Sequence, residues 1–165
     1  MKRIILPLCV LGLLISCNNA NKKAAEDIAL IEQYVEAVEN LDHELMDSYL
    51  AEDYWGYGPS RNDSINKEGA VISWTKNVEE LYKKIDYTSS RSMAVSIADG
   101  ENQGDWVSNW AELEITFKEG DRQVKIWSNT VYKIENGKIA RSYTFYNEAD
   151  ALEQLGYIFF DPSKL

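Results

Sequence analysis

The chain has 165 residues, with 27 acids against 17 basic residues and a formal net charge of −10. That length suits one single-core domain, and so negative a surface repels phosphate backbones, which argues against nucleic acid as a partner. Two cysteines, Cys9 and Cys17, and one histidine, His43, supply neither a disulfide framework nor a metal-ligand set, and no cofactor motif is present.

Met1-Lys2-Arg3 is a short basic start, and an apolar run from Ile4 to Ile15 follows it. The run is too short for a bilayer core of about 30 Å and reads as the h-region of a signal peptide. Leu14-Ile15-Ser16-Cys17 resembles the bacterial lipobox, after which the chain turns polar at Asn18-Asn19-Ala20-Asn21-Lys22-Lys23. The resemblance implies that residues 1–16 are a lipoprotein signal peptide and that Cys17 becomes the acylated first residue, tied to the membrane. Several acyl chains, at about 0.8 kcal/mol per buried methylene, anchor stably where one myristoyl chain is marginal. The expected address is extracytoplasmic and membrane-anchored; Asn18 is not the aspartate that retains lipoproteins in the inner membrane of enteric-type bacteria, which favours the outer membrane over the inner where there is one. The alternative is an ordinary secretory peptide with an incidental cysteine. Lys2 and Arg3 are the only charged residues removed, so the mature net charge becomes −12.

Residues 17–25 read as the lipidated cysteine and a flexible tether, and 26–165 as the folded domain. Ile28, Ile31, Val35 and Val38 recur at helical spacing and predict a helix over 26–40. Asp42 is placed to N-cap a second helix carrying Leu45, Tyr49 and Leu50, which an aromatic loop at Tyr54-Trp55-Gly56-Tyr57-Gly58-Pro59 ends. Asn66 caps a third, with Val71, Trp74, Val78 and Leu81 on one face. The period then changes: residues 92–98 and 106–117 alternate, and Lys118-Glu119-Gly120-Asp121 turns into a strand at 123–134. Asn136-Gly137 predicts a type I′ hairpin into 138–146. Asn147-Glu148-Ala149-Asp150 opens a short last helix ending near Leu155-Gly156. Helices first and antiparallel strands second predict an α+β fold.

Asn40 to Asp53, Tyr57-Gly58-Pro59, Tyr132 to Ile139, Tyr143-Thr144-Phe145-Tyr146-Asn147 and Gln154-Leu155-Gly156 together resemble the SnoaL-like domains of the nuclear transport factor 2-like superfamily. The resemblance covers about 28–157. It implies a cone-shaped, bent antiparallel sheet packed against N-terminal helices, with a short C-terminal helix and an apolar pocket. It does not fix the chemistry, because this fold hosts isomerases, cyclases, hydrolases and binding domains.

Counting outward from the turn pairs Ile134 with Ile139, Tyr132 with Arg141, Thr130 with Tyr143 and Ser128 with Phe145. Joined to Val107, Asn109, Ala111, Leu113, Ile115 and Phe117, that face is expected inward, because Glu112 and Glu114 occupy the other. A β-bulge would flip part of this assignment. The expected pocket residues are Asn109, Ser128, Thr130 and Tyr143 from the sheet, with Tyr34, Tyr57 and Trp74 from the helical side. A filled core whose tyrosines merely reach the surface is the competing reading. Trp106, Trp110, Trp127 and Tyr146 would form an outer aromatic stripe, expected to pair two copies as a homodimer or to be covered by Tyr157-Ile158-Phe159-Phe160.

No intact acid/base constellation is evident. The steroid isomerases of this fold use a helix-one tyrosine with two aspartates; Tyr34 suits the first role, but Ser128 and Thr130 stand where aspartates would be needed. The position nearest the acid of SnoaL-type cyclases is Asn147, which cannot transfer protons. Three functions stay open: a non-catalytic pocket for a small apolar or aromatic molecule, an isomerase or cyclase using tyrosine donors with Asp53 as base, and a protein-interaction module.

Overall fold

The computed structural model describes residues 6–160 and 163, with side chains from residue 21 onward, so the lipidation expected at Cys17 lies outside the described side chains. Helix α1 spans Leu6–Glu39, beginning well before residue 26. The stretch expected as a tether is helical: no Gly or Pro interrupts residues 13–39, and Lys22–Glu26 and Lys23–Asp27 add i,i+4 ion pairs. No helix among the described residues is long and apolar enough to cross a membrane.

Ile31, Tyr34, Val35 and Val38 form the buried stripe of α1. Asp42 caps α2 (His43–Tyr49) by accepting from the Leu45 amide at 2.9 Å. The expected aromatic loop is instead strand β1 (Leu50–Tyr57), because Tyr54 and Gly56 turn inward and Trp55 outward while the backbone pairs on both sides. Strand β2 (Ser64–Asn66) leads into α3 (Lys67–Lys76), which Asn66 caps through the Gly69 amide at 3.0 Å. α3 widens into a π turn over Asn77–Leu81.

Four long strands follow: β3 (Tyr82–Ile97), β4 (Gly104–Phe117), β5 (Gln123–Glu135) and β6 (Lys138–Tyr146). Asn136 and Gly137 both have positive φ, 51° and 71°, as a type I′ turn requires. Helix α4 (Glu148–Gln154) closes the domain, capped by Asn147 on the Asp150 amide. The order β2-β1-β6-β5-β4-β3 makes one open, curved sheet, antiparallel except for the parallel β1–β6 pair. This is the α+β cone, with α1 packed against β3 and β4.

Two irregularities shape it. β3 shifts register between Thr88 and Arg91 around Ser89, whose φ is 54°. The buried Asn109 side chain clips that bulge, donating through Nδ2 to Ser90 Oγ at 2.9 Å and Ser92 Oγ at 3.1 Å. The second bulge lies in β6. Ile134 pairs with Ile139 as expected, but Lys133 pairs with Arg141, which leaves Ala140 as an extra residue. Beyond it the expected pairs fail: Tyr132 meets Ser142, Thr130 meets Thr144 and Ser128 meets Tyr146. A one-residue slip moves every later side chain to the opposite face. Ser142, Thr144 and Tyr146 turn inward, and Tyr143 and Phe145 turn out.

Candidate functional site

The concave side of the sheet and the inner faces of α1, α3 and α4 enclose a cavity of about 430 Å³. That volume suits a small organic molecule. Its sheet wall is built by register. Leu113, Ile115 and Phe117 come from β4, Val124, Ile126, Ser128, Thr130 and Tyr132 from β5, and Ser142, Thr144 and Tyr146 from β6. The hydroxyl-bearing residues face one another across β5 and β6 in successive pairs: Ser128 with Tyr146, Thr130 with Thr144 and Tyr132 with Ser142. The Thr130 and Thr144 hydroxyls hydrogen-bond at 3.1 Å.

Tyr34 from α1, Tyr54 from β1 and Trp74 from α3 close the opposite side. Tyr34 meets the Tyr132 ring edge-on at 5.8 Å. The Tyr54 hydroxyl hydrogen-bonds Ser142 Oγ at 2.7 Å in a buried position. Gly56 permits this contact, since a Cβ there would collide with the Tyr54 hydroxyl. Trp74, Tyr82 and Phe117 form a chain of tilted rings, with centroids 6.1 and 5.8 Å apart. The Glu39 carboxylate accepts from the Tyr87 amide at 2.7 Å and fixes the β3 side.

Burial is the first cause that raises the hydroxyl pKa of Tyr34, Tyr54, Tyr82, Tyr87, Tyr132 and Tyr146 above the ordinary tyrosine value. All six therefore stay neutral and serve as hydrogen-bond donors and acceptors rather than bases. Among the described residues the lining contains no Lys, Arg, His or Asp, and its one acid, Glu148, is exposed at the rim. Among the described residues no group of three or more His, Cys, Asp or Glu is placed to hold a metal ion.

Of the seven residues expected at the pocket, the structure brings Tyr34, Trp74, Ser128 and Thr130 together around the cavity. Asn109 is on the inward face, but its amide is engaged in the β3 bulge. Tyr143 is placed on the convex face instead, with its ring stacked on Tyr57 at 4.7 Å and 8°. The bulge at Ala140 puts it there, and the parallel β1–β6 pairing carries Tyr57 with it. Tyr146 leaves the expected outer stripe for the cavity, while Trp106 is buried beneath Tyr143 and Lys133. Trp127 is 65% exposed, and the Tyr157–Phe160 segment is itself exposed rather than packed over it. His43 lies within reach of Thr75 Oγ1 at 3.4 Å, away from the cavity, and Asp53 is exposed on β1. Sequence reasoning missed Tyr54, Tyr82, Tyr87, Ser142, Thr144, Tyr146 and Glu148. The adjacent apolar pair Ile139-Ala140 was the one local sign of the bulge.

Comparison with solved structures places this geometry. A protein assigned as a polyketide cyclase from Silicibacter sp. TM1040 superposes with a TM-score of 0.65 at 20% identity, over 78% of this chain and 93% of that one. A protein assigned as a SnoaL-like polyketide cyclase from Shewanella denitrificans OS-217 gives 0.61 at 15%, over 79% and 96%. The fold is thus the one seen in SnoaL-like and NTF2-like structures. The same SnoaL-like fold is shared by an LEH-like epoxide hydrolase of M. tuberculosis, with a TM-score of 0.59 at 16%, over 81% and 91%. No family model and no curated protein matches the sequence. At these identities the likeness establishes the fold alone and leaves the chemistry to the site.

Proposed function

We propose that this protein is an envelope-anchored binding protein whose cone takes up a small apolar or aromatic molecule without transforming it. The observation that carries the reading is the cavity itself: about 430 Å³, walled by aromatic rings and paired hydroxyls, with no carboxylate or imidazole buried in it. Proton transfer at carbon needs a group whose pKa suits the working pH, and neutral tyrosines above their ordinary range do not provide a base. An open cone also disfavours the third reading, a filled domain that acts only through its surface. The anchor rests on the lipobox-like run ending at Cys17. A homodimer is part of the proposal, supported by the apolar residues Trp55, Met93, Val95, Trp127 and Phe145 exposed on the sheet's convex side and edges.

Native mass spectrometry of the full chain with an envelope metabolite extract, followed by thermal shift on each hit, tests the reading. An intact bound molecule that raises Tm is the expected result. A captured molecule that is released chemically altered would favour the cyclase or isomerase reading, which the assignment of structural neighbours as polyketide cyclases supports and for which Glu148 is the one acid among the described residues at the cavity.

A further inference from the structure

The cavity is electrostatically one-sided. Its aromatic walls include Trp74, Tyr82, Tyr87, Phe117 and Tyr146, and among the described residues its lining holds no basic one. The Trp74–Tyr82 and Tyr82–Phe117 pairs are tilted at 49°, so the rings do not cover each other's faces. Aromatic faces carry negative quadrupole density, which attracts a cation placed over them. The rim adds a full negative charge. Glu148 opens α4 beside Tyr146, and its carboxylate is the strongest charged influence on that hydroxyl, ahead of Asp63. The chain as a whole carries −10, which draws cations toward the mouth and repels anions.

These features sort ligand chemistries. An organic anion entering the cavity would lose its hydration and meet no ammonium, guanidinium or imidazolium, an unpaired burial that is strongly unfavourable. A neutral ligand would gain apolar contact and hydroxyl hydrogen bonds but nothing from Glu148. A compact organic cation gains the apolar contact, the ring faces and the carboxylate together. Resting on the reading that the cavity binds a small molecule, we propose that its preferred ligand is an organic cation. An amine or quaternary ammonium with an apolar or aromatic body would sit against the ring walls, with Glu148 as its counter-ion.

Three benzyl probes test this by calorimetry or ligand-observed NMR on the full chain: benzyltrimethylammonium, its uncharged carbon isostere neopentylbenzene, and the anion phenylacetate. The cation is expected to bind about tenfold more tightly than the isostere, and phenylacetate to bind more weakly than either. Glu148→Gln should erase most of the difference between cation and isostere while leaving isostere binding in place, and Glu148→Asp should retain it. Glu148 is one acid among 27, so a diffuse surface attraction would not respond to this single neutralisation. Equal binding of cation and isostere, tighter binding of phenylacetate, or a cation preference untouched by Glu148→Gln would each overturn the cation assignment and leave the binding cavity standing. Failure of all three probes to bind would overturn both.

Discussion

Ile139 and Ala140 are consecutive residues of β6, and both are buried, at 0% and 1% exposure. On a regular strand neighbours point to opposite faces, so this pair marks the point where β6 changes sides. Ala140 sits there almost wholly buried. Ala140→Leu should destabilise the fold by about 1–3 kcal/mol through overpacking, measured by chemical denaturation. An unchanged midpoint would mean that the bulge is not tightly packed.

The buried Tyr54–Ser142 hydrogen bond ties β1 to β6 across the cavity wall. Tyr54→Phe leaves Ser142 Oγ without its partner and should cost about 1–3 kcal/mol. Adding Ser142→Ala should cost less than the sum of the single changes, with a coupling of about 1 kcal/mol in a double-mutant cycle. Strict additivity would contradict the bond.

The six raised tyrosines govern the alkaline limit. A hydroxyl whose folded pKa lies above its unfolded value stabilises the fold fully below the unfolded value, near 10 for tyrosine, and loses that contribution as pH rises past it toward the folded value. Spectrophotometric titration should therefore show their ionisation delayed beyond the ordinary range and coincident with alkaline unfolding. Six tyrosines titrating at the free value in a folded protein would contradict their burial.

Much of this was legible from local chemistry. Asp42, Asn66 and Asn147 cap as their side chains dictate, Asn136-Gly137 turns as a type I′ hairpin, and the β4 and β5 faces follow alternation constrained by Glu112 and Glu114. What was not legible depends on tertiary pairing. Alternation cannot show that Ala140 is an extra residue, so the later residues of β6 lie on the face opposite to the one alternation predicts. Tyr54 to Tyr57 carries the loop-like Gly56, yet pairing with β2 and β6 makes it a strand.

The convex face yields a prediction about assembly. The structure leaves Trp127 and Phe145 exposed and the Tyr157–Phe160 segment off them, so we expect two copies to pair there. Light scattering at tens of micromolar should give dimer mass, reduced to monomer mass by Phe145→Asp. Monomer mass for the wild type would count against the pairing.

At the other end of the chain, Cys17→Ala should release the protein from membranes and abolish metabolic labelling with palmitate. Unchanged labelling would end the lipoprotein reading.

The most direct test of the central claim, that the concave face rather than the Tyr57–Tyr143 face holds the ligand, compares two alanine substitutions three positions apart on opposite sides of one strand. Affinity for any hit that stabilises the wild type is measured in Tyr146→Ala and Tyr143→Ala, both checked for folding by circular dichroism. The account predicts a loss of about tenfold or more in Tyr146→Ala, which removes a ring and a hydroxyl from the cavity, and unchanged affinity in Tyr143→Ala. Loss in Tyr143→Ala with none in Tyr146→Ala would place the ligand on the convex face and contradict the account.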